Sequence, residues 1–252
     1  MKVAFVLVAA LLLGACQTDN LVTKQANDPR PTSVDYIAKP KGPQVAKGAV
    51  LFINGVDGTS PSHHYDFDTP NILYWFSGAG FDVYRLNLAP KDQVPFGRVL
   101  QATDRAISDI RRQNYRKIFV VGQSAGGVSA LVTLIEGGNV ADGAIAFAPV
   151  AVGNAPKNQQ IEWHTDIVSK IGPTRRVAIF HFDGDDLVKN WHKEAVAISS
   201  AKLANRRNAM IRVPSNASGH FGFESVAFQN TYGLCLAEFL ATDDPNERVC
   251  PP

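Results

Sequence analysis

The sequence predicts an α/β protein with a mostly parallel central sheet and helices packed on both of its faces. Short runs of β-branched and aromatic residues alternate along the chain with longer segments of helical periodicity. The strongest apolar run, residues 118–121, has no polar side chain, as expected of a strand buried on both faces. A glycine-rich turn and a helical segment follow it, which is the order that a parallel sheet requires.

Seven segments are predicted as strands, because they are short, apolar and bounded by glycine, proline or polar residues. The first covers residues 34–38 and is the weakest, with alternating character. The others are predicted at residues 49–53, 82–88, 118–121, 143–148, 177–182 and 210–213.

Helices are predicted between these strands. Thr69 and Pro70 have the residue types of an N-cap and a first helical position, which predicts a helix that ends near Ser77. The longest insertion, residues 150–174, is weakly helical and too short for a large lid, so a small lid or none is expected. The other helices are predicted over residues 99–112, 128–134, 161–171, 191–204 and 224–240.

Composition narrows the class of protein. The 252 residues are 45% hydrophobic and 19% charged, which excludes a disordered chain. The formal net charge of +2 is too small to indicate a nucleic acid partner. This length suits one α/β domain with a large core.

The N-terminus has the features of an export signal. A basic residue, Lys2, precedes an apolar run that is too short to span a bilayer, and Cys16 follows a small-residue pair. The segment 13–16, Leu-Gly-Ala-Cys, resembles the lipobox of bacterial lipoproteins, whose cysteine is acylated; the alternative is an ordinary secretory signal. By the same resemblance, Gln17 in place of aspartate favours the outer membrane, facing the periplasm.

Three segments follow from this interpretation: a signal peptide at residues 1–15, a polar tether at 16–32 and a folded domain at 33–252. Cys235 and Cys250 then remain as an even pair in an exported protein, which predicts a disulfide rather than two free thiols. Such a bridge would contribute about 3 kcal/mol to stability on the chain-entropy model.

Ser124 is the candidate nucleophile. It lies in a G-x-S-x-G pattern at residues 122–126, where the buried strand passes into a helix. A serine on so tight a turn has its Oγ exposed, and the flanking glycines give room for strand and helix to approach. The pattern resembles the nucleophile elbow of the α/β-hydrolase superfamily, which implies the α/β-hydrolase fold and a serine hydrolase.

That resemblance implies the chain order serine, acid, histidine. His220 follows the last predicted strand in a Gly-His-Phe context similar to that of the family histidine. The acid is expected in the loop after residues 177–182, where Asp183, Asp185 and Asp186 compete. Asp185 is favoured, because Val188 would supply the apolar side chain that usually packs beneath this loop.

Two backbone N–H groups should stabilise the oxyanion. The resemblance assigns one to Ala125 and the other to Val56, in the loop after residues 49–53. Asn54 stands where the family often has histidine, so only a backbone contribution from this loop is expected.

The loop from Asp57 to Asp68 is expected to overhang Ser124. Its residues His63, His64, Asp66 and Asp68 could be metal ligands, but adjacent histidines rarely bind one ion, so no metal and no cofactor are predicted. The residues expected to line a substrate pocket are Asn54, Gln123, Tyr65 and Trp163, with Phe67 and His164 as further candidates.

The sequence therefore predicts a lipid-anchored hydrolase of small to medium carboxylic esters, with Ser124, His220 and Asp185 as catalytic triad. The first alternative is a peptidase or amidase, since the same triad cleaves amides. The second is a binding lipoprotein that retains the fold without the chemistry. The oligomeric state is left open.

Overall fold

The structure is a computed structural model that describes residues 33–55, 69–87, 96–135, 141–150, 155–188, 191–242 and 250. Seven strands of the described residues form one sheet in the order β1-β3-β2-β4-β5-β6-β7. The strands are β1 (Ser33–Tyr36), β2 (Ala49–Ile53), β3 (Asp82–Asn87), β4 (Ile118–Gln123), β5 (Gly143–Phe147), β6 (Arg176–Phe180) and β7 (Ala209–Arg212).

Six of these strands run parallel, and β1 is antiparallel to β3 at the edge of the sheet. The described helices are α1 (Ile72–Gly78), α2 (Phe96–Arg112), α3 (Ala125–Val132), α4 (Lys157–Lys170), α5 (His192–Leu203) and α6 (Val226–Ala241), with a short 3-10 helix at Gly222–Glu224. None of the helices in the described part is long and apolar enough to cross a membrane.

The core has two layers because successive strand residues point to opposite faces of the sheet. In β2, Leu51 belongs to a cluster that α2 and α3 cover, together with residues of α4 and α5. Its neighbour Phe52 belongs to a second cluster that α1 and α6 cover. Both clusters are built on strand residues that are fully buried. The predicted α/β fold with helices on both faces is therefore confirmed.

Several helix boundaries differ from the prediction, and two of them have a clear reason in the sequence. Thr69 and Pro70 precede α1, which begins at Ile72 with Asn71 as its N-cap. The Leu73 N–H donates to the Pro70 carbonyl at 2.9 Å, so this proline belongs to a turn that leads into the helix. Helix α4 begins four residues before the predicted start. The prediction missed this first turn because its residues are polar and show no apolar periodicity.

The parallel arrangement brings the predicted site to one edge of the sheet. The carboxyl ends of parallel strands lie at the same edge, where α/β proteins bind their ligands. Asn54 follows β2, Ser124 follows β4, Asp185 follows β6 and His220 follows β7. Residues far apart in sequence are thereby placed on neighbouring loops.

Candidate active site

Ser124 occupies a strained turn between β4 and α3. Its backbone has φ 56° and ψ −124°, a conformation that residues other than glycine rarely adopt. The Ser124 N–H donates to the Phe147 carbonyl at 3.0 Å, and the Ser124 carbonyl accepts the Val128 N–H at 3.0 Å. The turn is thus bonded to the neighbouring strand on one side and to its own helix on the other.

Two glycines of the motif allow this turn because other backbone segments lie directly against them. A Cβ on Gly122 would overlap the Gly126 carbonyl, and a Cβ on Gly126 would overlap the carbonyl of Ile53. Strand β4, helix α3 and the end of β2 therefore meet at the closest distance that their backbones permit. The motif glycines are required by this contact.

The acid loop and the histidine loop are bonded to each other. His220 Nδ1 lies 2.9 Å from Asp185 Oδ2, and the Asp185 side chain is fully buried. The other carboxylate oxygen of Asp185 accepts the Leu187 N–H at 2.9 Å. Beside this pair, the Gly219 N–H donates to the Asp183 carbonyl at 2.7 Å, so backbone bonding also joins the two loops.

The three competing aspartates have different surroundings. Of these three side chains, only that of Asp185 contacts the His220 ring. The Asp183 side chain is exposed and lies 3.4 Å from His192, while Asp186 is also exposed. Val188 is buried beneath the loop, in a cluster with Val150 and Trp191. Of the three, Asp185 is the residue that the structure brings to His220.

The oxyanion groups are only partly described. Ala125 is the first residue of α3, and the N–H groups of a first helical turn have no partner inside the helix. Val56 lies outside the described residues. Asn54 is half-buried, and its side-chain Nδ2 is buried with no hydrogen-bond partner among the described residues.

Gln123 differs from the prediction that it lines a substrate pocket. It is 4% exposed, and both ends of its amide are engaged by backbone groups. Oε1 accepts the Gly55 N–H at 3.2 Å, and Nε2 donates to the His220 carbonyl at 3.3 Å. The amide therefore faces the protein interior, where substrate does not reach it.

Trp163 and His164 line a small cavity between α3, α4 and Trp191. His164 is buried, and its Nε2 lies 2.8 Å from Ser199 Oγ. Burial lowers the pKa of His164 to about 4, and it lowers the pKa of His181, which lies 3.4 Å from the same hydroxyl. These two histidines are neutral groups of the core at physiological pH. His181 follows β6 and lies outside it, although the predicted strand at residues 177–182 includes this histidine.

Two exposed apolar residues next to the site were missed from the sequence. Leu187 is 44% exposed and follows the acid loop, while Phe221 is 49% exposed and follows His220 directly. The ring centroids of His220 and Phe221 are 5.4 Å apart. Their positions in the sequence, close to Asp185 and directly after His220, could have indicated that they lie beside the site. Both present exposed apolar surface beside the candidate site.

Several predicted residues lie outside the described part of the chain. They are Cys16, Tyr65, Phe67, and the loop residues His63, His64, Asp66 and Asp68. Within the described ranges, no group of three or more histidine, cysteine, aspartate or glutamate residues is arranged to hold a metal ion. Cys235 and Cys250 are joined by a disulfide.

Comparison with solved structures places the chain among proteins of the α/β-hydrolase fold. An esterase from Pyrococcus furiosus, Pf2001, superposes with a TM-score of 0.59 at 16% identity, covering 83% of this chain and 86% of that chain. Thermogutta terrifontis esterase 2 phosphonylated by cyclosarin gives a TM-score of 0.59 at 20% identity, covering 84% and 90%. The same esterase phosphorylated by paraoxon gives 0.58 at 20% identity, covering 86% and 97%.

The architecture and these likenesses define an α/β-hydrolase fold. No family model matches the sequence. No curated protein matches it either. The identities to the solved structures are low, so the likeness establishes the fold and not the activity.

Proposed function

We propose that this chain is a serine hydrolase that cleaves small to medium carboxylic esters through an acyl-enzyme on Ser124. The observation that carries the proposal is the buried Asp185–His220 hydrogen bond at the sheet edge where Ser124 occupies a strained turn. A neutral histidine whose Nδ1–H is held by a carboxylate has its Nε2 free to accept a proton. This is the arrangement that activates a serine hydroxyl.

In the proposed mechanism, His220 Nε2 takes the Ser124 Oγ proton as the hydroxyl oxygen attacks the ester carbonyl. Asp185 stabilises the imidazolium and fixes its orientation. Backbone N–H groups of Ala125 and Val56 hold the negative oxygen of the tetrahedral intermediate. His220 then gives its proton to the leaving alcohol, and the acyl group stays on Ser124. A water molecule that His220 deprotonates attacks this acyl-enzyme, and His220 returns the proton to Ser124 Oγ as the acid leaves.

An apolar ester is the substrate class that the surroundings favour. Leu187 and Phe221 offer exposed apolar surface beside the acid and the base. Helix α4 lies in the segment between β5 and β6 and packs against α5 on the flank of the sheet. These features support an open site for small acyl or alcohol groups.

A fluorophosphonate probe tests the chemistry, because it labels only an activated serine. Wild-type protein should be labelled, and the Ser124→Ala variant should not be. The wild type should hydrolyse p-nitrophenyl acetate and butyrate much faster than the matching p-nitroanilides. Absence of labelling, or equal labelling of Ser124→Ala, would contradict the proposal, and comparable anilide cleavage would favour an amidase.

We also propose that the chain is exported and anchored to a membrane by lipid on Cys16, with residues 1–15 as signal peptide and 16–32 as tether. The proposal is supported by the residues before Cys16 and by the disulfide between Cys235 and Cys250, since such bonds persist in oxidising compartments. Metabolic labelling with a palmitate analogue should mark the protein, and Cys16→Ser should abolish the label.

A further inference from the structure

We infer that Gln123 is a positioning residue that fixes both the oxyanion loop and the histidine loop against the nucleophile. The oxyanion loop here means Asn54 and Gly55 after β2, and the histidine loop means residues 218–221. The inference rests on the proposed function, and it concerns the buried amide directly before Ser124. It gives Gln123 a role in catalysis without contact with substrate.

The two hydrogen bonds of the Gln123 amide join these loops. Oε1 accepts the Gly55 N–H at 3.2 Å, and Nε2 donates to the His220 carbonyl at 3.3 Å. A backbone N–H can only donate and a carbonyl can only accept, so the two partners fix which end of the amide is oxygen. One side chain therefore connects segments that lie 68 and 97 residues away from it.

The oxyanion loop has no room to shift towards the elbow. A Cβ on Gly55 would lie 2.7 Å from Ser124 Cβ and would overlap Gln123 Oε1. The Gly55 backbone thus packs directly against both the nucleophile and the amide. Because the Gly55 N–H is bonded to Gln123 Oε1, it is not the second oxyanion donor.

The histidine is held from two sides. Asp185 fixes the imidazole through Nδ1, at 2.9 Å, and Gln123 fixes the backbone carbonyl of the same residue. Without the amide, the ring would keep its carboxylate while its main chain lost a buried contact. Displacement of a reacting group by about 1 Å can cost roughly 100-fold in rate. Loss of the amide should therefore act on the chemical step more than on substrate binding.

Two substitutions separate positioning from a simple contribution to folding. Gln123→Met keeps the size and removes both hydrogen bonds. Gln123→Glu keeps the acceptor for Gly55, but an ionised carboxylate cannot donate to the His220 carbonyl, whereas a protonated one can. For Gln123→Met we expect kcat to fall about 10- to 100-fold with KM changed less than threefold.

For Gln123→Glu, the test is the dependence of kcat on pH. The ratio of its kcat to that of wild type should rise as the pH falls through the pKa of the introduced carboxyl, because protonation restores the donor. The Met variant should show no such rise. A purely structural role for Gln123 would lower the melting temperature of both variants without producing this pH-dependent rescue.

Gln229→Met is the matched control. Gln229 is also a buried glutamine whose Nε2 donates to a backbone carbonyl, that of Glu224 at 2.8 Å, and it lies on α6. Its substitution should lower thermal stability but leave kcat within about twofold of wild type.

The outcomes distinguish the inference from the function on which it rests. Two results with an active wild type would overturn the positioning role alone. The first is a kcat within twofold of wild type in both Gln123 variants. The second is a ratio of the kcat of Gln123→Glu to that of wild type that does not depend on pH. A wild type that neither hydrolyses esters nor reacts with the fluorophosphonate would overturn the proposed function and the inference with it.

Discussion

Asp185 Oδ2 lies 2.9 Å from Nδ1 of His220, and the carboxylate that makes this contact is fully shielded from solvent. A buried carboxylate needs hydrogen-bond partners for both oxygens, and the Leu187 N–H supplies the second one. The pair therefore holds the imidazole in one orientation and one tautomer. It also bonds the loop after β6 to the loop after β7.

Replacing Asp185 with asparagine should remove most of the activity. The asparagine amide can donate to Nδ1, which would move the imidazole proton to Nε2 and leave no base for Ser124. In the serine protease triad the equivalent change lowers kcat about 10,000-fold, and we expect a loss of roughly 1,000-fold or more here. Steady-state hydrolysis of p-nitrophenyl acetate measures it.

The neighbouring aspartates are the controls for this substitution. Asp183 contacts the histidine loop through its backbone carbonyl, and its side chain is exposed. Asp183→Asn and Asp186→Asn should each leave kcat within about threefold of wild type. Loss of activity in Asp183→Asn with retention in Asp185→Asn would contradict the assignment of the acid.

Gly126→Ala should destabilise the protein, because the new Cβ would overlap the Ile53 carbonyl and the backbones of β2 and α3 would have to separate. Overpacking of this kind typically costs about 1–3 kcal/mol. Urea unfolding followed by circular dichroism gives the free energy of unfolding. Gly97→Ala, in α2, is the matched control, since a Cβ there meets no atom within 4 Å. Equal stability of the two variants would contradict the close contact at the elbow.

Stability should fall as the pH drops from about 6.5 to about 4. Burial depresses the pKa of folded His164 to about 4, below its value of 6.5 in an unfolded chain. The unfolded state therefore binds more protons in this window, so acid favours unfolding. The shift corresponds to about 3 kcal/mol, and His181 acts in the same direction.

His164→Gln tests this origin of acid sensitivity. Glutamine does not titrate and retains a donor for Ser199. Melting temperatures measured from pH 4 to pH 8 should fall less steeply on the acid side in this variant than in wild type. Parallel curves for the two proteins would show that another group causes the acid sensitivity.

Loss of the disulfide should lower the free energy of unfolding. Cys235 and Cys250 are 15 residues apart, and closing a loop of this size stabilises a protein by about 3 kcal/mol. Cys250→Ser should therefore unfold at lower urea concentration than oxidised wild type and keep its kcat. Reduced wild type should match the variant. Identical unfolding of the oxidised and reduced wild type would contradict the prediction.

The strands were predictable from sequence because burial on both faces gives continuous apolar runs. The predicted 49–53 matches β2 at both ends, and most other predicted strands differ from the structure by one or two residues. Helix starts were less predictable. Helix α4 opens with polar side chains, and α1 begins after a turn that a Thr-Pro pair resembles but does not determine.

At the site, the local sequence was sufficient to predict the position of Ser124 on a tight turn, since the glycines of the motif require that turn. For the acid, the position of Val188 favoured Asp185 but left Asp183 and Asp186 open, and the fold turns the Asp185 side chain inward to His220. The direction in which the Gln123 amide points could not be predicted from the sequence. An amide before the nucleophile can face substrate or interior, and only the approach of Gly55 and His220 decides between them.

The backbone conformation of Ser124 lowers the stability of the fold at the position that carries the candidate nucleophile. At φ 56° and ψ −124° a serine costs of the order of 1–3 kcal/mol that a glycine would largely avoid. A chain optimised only to fold would carry glycine at residue 124, and Ser124→Gly should be the more stable and the inert protein. Serine at this position therefore lowers stability and keeps the hydroxyl on which the proposed chemistry depends.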